Sequence, residues 1–160
     1  MQTNTVEVKI PEGANVIVGQ THFIKTVEDI YEALVNCVPN IKFGVGFCEA
    51  SGKCLVRSEG NDAVLKKAAE DTAFEIGAGH IFVIFIRDAF PINVMRALKD
   101  IPEICHIFCA TANPLQVIVA ETSQGRGVLG VIDGAKPKGK EAAEDIKWRK
   151  DLLRQFKYKL

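Results

Sequence analysis

The most constraining stretch of the chain is residues 77–88, GAGHIFVIFIRD. Its centre, residues 81–86, is six apolar residues without interruption, too few for a helix of their own and bounded by turn formers. Such a run is expected as a strand buried on both faces, and each face then needs a covering layer. Gly77, Gly79 and His80 stand before it, while Arg87 and Asp88 follow it and lead to a helix start at Phe90-Pro91. A rigid central strand with polar groups at both mouths is a good place to build a site.

The rest of the chain supplies covering elements. Strands are expected over 6–10 and 15–19, paired across the turn Pro11-Glu12-Gly13. Further strands are expected over 42–49, 54–58, 104–110, 115–121 and 128–132, with hairpin turns at 50–53 and 122–127. Gly44 and Gly46 share one face of their strand, which implies close approach of another backbone or a ligand. The apolar stripe Val27, Ile30, Tyr31, Leu34, Val38 predicts a helix over 27–38, with Thr26 as its N-cap. Helices over 63–76, 91–99 and 141–156 complete the set: Asp62 opens the first of these, Gly77 ends it, and Pro91 opens the second. Consecutive strands and hairpins among four helices predict an α/β chain of the mixed α+β type, with mixed sheets packed against helices.

A chain of 160 residues is expected to form one domain, residues 1–160, and to bury roughly 70% of its unfolded surface. Lys plus Arg and Asp plus Glu number 20 each, so no overall field draws it to nucleic acid or to an anionic membrane. No apolar run approaches the ~20 residues of a membrane span, and the N-terminus MQTNTVEVKI lacks the basic and apolar regions of a signal peptide. A cytoplasmic protein is expected. The five cysteines are an odd number, and on a strand Cys105 and Cys109 share a face while His106 points away. Reduced thiols are therefore expected, and no metal site.

Two stretches approach known phosphate motifs. Residues 134–140, GAKPKGK, fit GxxxxGK between a strand and a helix, but Glu141 stands where a hydroxyl is needed and Pro137 removes an amide donor. A solvated basic loop is the better reading. Gly77-Ala78-Gly79-His80 comes close to the GAGD of ribokinase-like sugar kinases, although a strand follows it here instead of a helix. Free amides of such a turn would make an anion nest in any fold, and His80 beside it suits a base or a phosphoryl acceptor. The plain alternative is a histidine at a helix C-terminus or in the core. His22 precedes a helix N-terminus, whose partial positive charge suits an anion.

Polar side chains gather at strand ends and turns: Glu49, Ser51, Arg87, Asp88, Asn93, Asn113, Gln124 and Arg126. Asn and Gln each offer a donor and an acceptor and so match a purine edge, while Glu49 or Asp88 suits a ribose diol. Arg87 and Arg126, with Gly77 and Gly79, are the candidates for binding phosphate.

The runs IPEGANVIVGQTHFIKTVEDIYEAL, KFGVGFCEASG, GAGHIFVIF, FPIN, CATANP and ETSQGRGVLGVIDG resemble the small family of adenosine-specific kinases, over nearly the whole chain. The resemblance implies a compact α/β fold with two sheets between helix layers, in a four-layer α/β/β/α arrangement. It also implies an adenosine or AMP site and phosphoryl transfer by way of a phosphohistidine. The family's histidine motifs match at His22 and His80, so the catalytic role is carried to those two. ATP or another phosphate donor is compatible with it, no firm cofactor is implied, and neither the donor nor a metal requirement follows from the sequence. A nucleoside-binding protein without turnover is the alternative, and the many apolar strands suit a homo-oligomer.

Overall fold

The computed structural model describes residues 1–160. The elements run β1 (Gln2–Val8), β2 (Asn15–Thr21), α1 (Thr26–Cys37), β3 (Lys42–Cys48), β4 (Val56–Gly60), α2 (Ala63–Ile76), β5 (Ile81–Arg87), α3 (Pro91–Lys99), β6 (Ile104–Thr111), β7 (Leu115–Glu121), β8 (Arg126–Asp133) and α4 (Ala143–Gln155). They form a five-stranded sheet in the order β4-β3-β5-β2-β6 and a three-stranded sheet in the order β1-β7-β8. The class is mixed α+β, as expected; both sheets are wholly antiparallel, where mixed sheets were expected.

β5 takes the centre of the larger sheet. Residues 81–86 are all buried, because alternate side chains enter two different cores. Phe82, Ile84 and Ile86 join Phe43, Val45, Phe47 and Ile17 beneath Ile30 and Leu34 of α1 and Val94 and Leu98 of α3. Ile81, Val83 and Phe85 join Val16 and Val18 in the opposite core. That core is closed by Leu65, Ala69, Ala73 and Ile76 of α2 and by Leu115, Val117 and Val119 of β7. The layers are therefore α1 with α3, then the large sheet, then α2 side by side with the small sheet. α4 buries no residue, so no outer helix layer closes over the small sheet to make four layers.

Gly44 and Gly46 let α2 lie directly on β3. A Cβ on Gly44 would stand 2.1 Å from the Lys66 backbone nitrogen, and one on Gly46 would stand 2.4 Å from the Ala69 carbonyl oxygen. The close neighbour is a helix backbone. Asp62 caps α2 by accepting from the Val64 and Leu65 amides at 3.0 and 2.9 Å.

Three local expectations are corrected. β1 and β2 are not a pair: Val16, Ile17 and Val18 are buried on both faces and sit between β5 and β6, which leaves β1 no free edge there. β1 pairs with β7 instead. Thr26 lies inside α1, and its hydroxyl donates to the Phe23 carbonyl at 2.7 Å, so it does not cap from the N-cap position. α4 begins at Ala143, because Glu141 turns back to pair with Arg149 at 2.9 Å. No helix is long and apolar enough to cross a membrane.

Replacing Gly44 with Ala forces a methyl group into the α2 backbone. Denaturant unfolding should report a loss of about 3 kcal/mol or more, at the upper end of overpacking penalties. A loss below about 1 kcal/mol would mean that α2 is free to lift away.

Candidate functional site

The site candidates divide between the two ends of β5. At its start, α2 ends at Gly77, whose left-handed backbone (φ 61°) returns its N–H to the Ala73 carbonyl at 2.9 Å. That amide is spent on closing the helix, so a nest made from it is not available. Arg126, the first residue of β8, reaches across to the same helix end. Its Nη1 donates to the Glu75 and Ile76 carbonyls, both at 3.1 Å, while Nε and Nη2 hold Glu121 at 3.2 and 2.8 Å. The guanidinium thus satisfies the orphan carbonyls of α2 and complements its negative end.

Between this junction, the β3–β4 turn and the β7–β8 hairpin lies a cavity of about 720 Å³. Of the expected residues it gathers Glu49, Gly77, Gly79, Gln124 and Arg126, together with Phe74, Leu55 and Leu129. The volume falls in the range of small-molecule sites. Glu49 is held in place rather than free: Oε2 accepts from the Leu55 amide at 2.8 Å, and Oε1 from Arg57 at 2.8 and 2.9 Å. The Leu55 amide first, then Arg57, holds its pKa below the usual carboxylate range. Glu49 is an ionised acceptor with both oxygens already engaged.

His80 follows Gly79 directly. Its φ is 64°, a left-handed conformation that ordinary side chains seldom adopt. Bonds on both sides hold it there: its N–H donates to the Cys48 carbonyl at 2.8 Å, and its carbonyl accepts from the Thr21 N–H at 3.0 Å. The imidazole stacks on Phe47, with ring centres 5.9 Å apart and planes at 16°. The bond to the Cys48 carbonyl places His80 at the end of β3, where the β3–β5 ladder has stopped at Phe47 and Phe82. Local backbone preference does not account for a histidine at 80, since Gly or Asn would suit the conformation better. The ring lies on Phe47, in the core beneath α1 and α3, and neither His80 nor His22 lines the cavity that Gly79 borders. A strained, doubly held backbone still points to a use for the side chain.

His22 belongs to the same end of the sheet. Thr21 ends β2 and His22 follows it, and the Thr21–His80 bond joins the two histidine-bearing segments directly. The His22 N–H donates to the Glu103 carbonyl at 3.1 Å, and its ring lies against Phe23 with centres 6.3 Å apart. The amides from Thr26 to Asp29 do not serve an anion. They donate to the carbonyls of Phe23, Ile24 and Lys25 at 3.1–3.2 Å, a leading turn that uses up the donors of the helix N-terminus. A second hollow beside that turn is lined by Phe23, Lys25 and Arg57.

The remaining candidates are elsewhere. Arg87 ends β5 and Asp88 and Asn93 follow it, roughly 20 Å or more from Gly79 at the usual rise per strand residue. Asn93 accepts from the Phe90 amide at 2.8 Å and so caps α3, while Asn113 donates to Asp133 at 3.1 Å and pins a turn. Neither side chain reads a ligand at the cavity. Ser51 is exposed in the β3–β4 turn and does not line the cavity. The GxxxxGK stretch is part of the exposed connection between β8 and α4. Sequence reasoning missed Arg57 and Phe74. Phe74 had a usable signal: it stands off the stripe Leu65, Ala69, Ala73, Ile76, and is 75% exposed. Arg57 had none beyond lying in an expected strand, because its partner is set by the β3–β4 register.

With this geometry in place, comparison with known proteins is informative. The profile of the family described as adenosine specific kinase matches residues 6–159, and the chain belongs to that family. It is similar in structure to the PH1918 protein from Pyrococcus horikoshii OT3, known from a crystal structure. The two share 44% identity and a TM-score of 0.95, over 99% of this chain and 98% of that one. No curated protein matches the chain.

Replacing Arg126 with Ala should uncap α2 and leave Glu121 unpaired, lowering unfolding free energy by about 1–3 kcal/mol. Amide exchange at the C-terminal turn of α2 should rise in step. A chain of unchanged stability would show that the guanidinium is free to serve a ligand.

Proposed function

We propose that the protein is an adenosine-binding phosphotransferase that passes a phosphoryl group to adenosine through a phosphohistidine formed at the His22–His80 junction. The observation that carries the reading is that junction itself: two imidazole-bearing segments tied by the Thr21–His80 hydrogen bond, with Gly79, the neighbour of His80, in the lining of a nucleoside-sized cavity. Membership of the adenosine specific kinase family supports the same substrate. The left-handed backbone at His80 adds the sign of a residue kept for its side chain.

Two displacements at phosphorus make up the chemistry. A neutral imidazole nitrogen attacks the terminal phosphorus of a donor such as ATP, the bond to the leaving phosphate oxygen breaks, and a phosphoramidate forms. A hydroxyl of adenosine then attacks the same phosphorus, the P–N bond breaks, and the hydroxyl proton passes to a nearby base. The imidazole is restored. Glu49, ionised and facing the cavity, suits the role of orienting that hydroxyl. Phe74 offers a flat apolar face for the adenine ring, and Gln124 a donor and an acceptor for its edge. Arg57 and Lys25, which line the hollow beside the His22 segment with Phe23, take the charge-neutralising part expected of Arg87 and Arg126.

A second reading has one observation in its favour. Arg126 is committed to the α2 terminus and to Glu121, so the cavity holds no uncommitted guanidinium for a phosphate. This suits a protein that binds nucleoside without turning it over. Self-association is part of either reading: α4 leaves Trp148, and the tail after it leaves Phe156, exposed for a second copy.

The test uses His22→Gln and His80→Asn, with labelled phosphate followed on protein and on adenosine. Asn tolerates the left-handed backbone, so His80→Asn should unfold within about 1 kcal/mol of the parent. The carrier's variant should lose labelled protein and labelled adenosine together. Transfer undiminished in both variants would remove histidine from the mechanism, and tight adenosine binding with no ATP-dependent product would establish the second reading.

A further inference from the structure

Behind the His22 segment the fold buries a carboxyl group that the catalytic reading does not use. Glu103, just before β6, is 4% exposed, and its Oε1 has no hydrogen-bond donor from the protein; the nearest cation, Lys25 Nζ, is 4.0 Å away. Its main chain anchors the histidine segment. The Glu103 carbonyl accepts from the His22 N–H at 3.1 Å and from the Thr21 hydroxyl at 2.9 Å. The Thr21 hydroxyl touches that of Thr26 at 2.5 Å, which ties the same point to the first turn of α1.

The side chain meets that turn as well. Asp29 lies against the Glu103 carboxyl, and Lys25 is paired with Asp29. Two adjoining carboxylates share one half-exposed ammonium, and only Glu103 of the three is buried, so its charged form is the costly one. Burial first, and then the facing Asp29, pushes the Glu103 carboxyl up, while the bond from Glu103 and the Lys25 ammonium hold Asp29 down. A proton on Glu103 would give Asp29 a donor.

We propose that Glu103, hydrogen-bonded carboxyl to carboxylate with Asp29, is a positioning residue that fixes the His22 segment against the His80 junction. Its consequence for turnover rests on the phosphohistidine reading above; its consequence for the segment does not. The titratable groups around it are Lys25 and Asp29 at the start of α1, with Glu32 acting through Lys25, His22 itself, and the Cys105 thiol from β6, which donates to the Glu103 carbonyl at 3.8 Å. Glu103 holds its proton more tightly in the folded chain, so its contribution is complete below the ordinary value of 4.5 and fades as pH climbs through the raised one. The Asp29 contribution has the opposite sense, present above 3.8 and lost as pH falls through the lowered value.

The experiment compares the full chain with Glu103→Gln and Glu103→Ala from mildly acid to alkaline pH. Two readouts are taken: hydrogen exchange of the His22 amide, and labelled phosphate passed from ATP to adenosine. Gln offers Asp29 a donor that cannot ionise, so it should keep parental protection at neutral pH and remove the alkaline loss. Ala should speed His22 exchange and slow transfer by on the order of 10- to 100-fold. Parental exchange in Glu103→Ala overturns the inference, and so does a Gln variant as loose as the Ala one. Should the Ala chain fail to fold, the Gln profile decides alone: an alkaline loss of protection matching the parent overturns the proposal. If Ala loosens and Gln restores while even the parent transfers no phosphate, the positioning role is supported and the phosphotransferase reading falls.

Discussion

The burial of β5 on both faces is the constraint from which the architecture follows. Six apolar side chains in a row must enter two cores, so the strand needs hydrogen-bonded neighbours on both edges and a packed layer above and below. β2 and β3 supply the edges, α1 and α3 one layer, and α2 with the small sheet the other. Four phenylalanines, Phe43, Phe47, Phe82 and Phe85, are fully buried in these cores. At about 1.5–3 kcal/mol for each such side chain, they anchor the centre of the sheet far more firmly than any surface ion pair could.

That rigidity has a chemical outcome at the start of β5. His80 sits one residue before the strand, with its amide bonded toward β3 and its carbonyl toward β2. Its strained backbone persists because the two neighbouring strands over-determine it. The same bonds bring β2, and with it His22, to the same edge. Arg126 and Glu103 act around this edge in comparable ways, one tying the end of α2 and the other the entry to α1. The surroundings of the histidines are thus held by interactions among the protein's own groups.

Much of the fold was legible because it rests on local rules. The unbroken run at 81–86, the paired glycines of β3, Asp62 before α2 and Gly77 after it each state a packing or capping requirement in their own residue types. The failures were those of partnership. β1 and β2 both read correctly as strands, yet which strand β1 joins depends on where β2 is buried, and a turn at 11–13 cannot reveal that. The candidate site shows the same division. Glu49, Gly77, Gly79 and Gln124 meet at one cavity, whereas Asn93 and Asn113, equally polar and equally near turns, spend their amides on a helix start and a turn. Arg126 was a phosphate candidate by type and proved to be a helix cap by position.

By itself, then, the chain's residue order determined the central strand, most of the helices, the hairpins and the family, since periodicity, caps and long distinctive runs are properties of neighbouring residues. The tertiary structure alone decided which end of β5 collects the two histidines, which carboxylates are already engaged and which one is buried without a donor. Those matters turn on distance and dielectric between groups far apart in the chain, and residue order carries neither quantity until the sheet has closed.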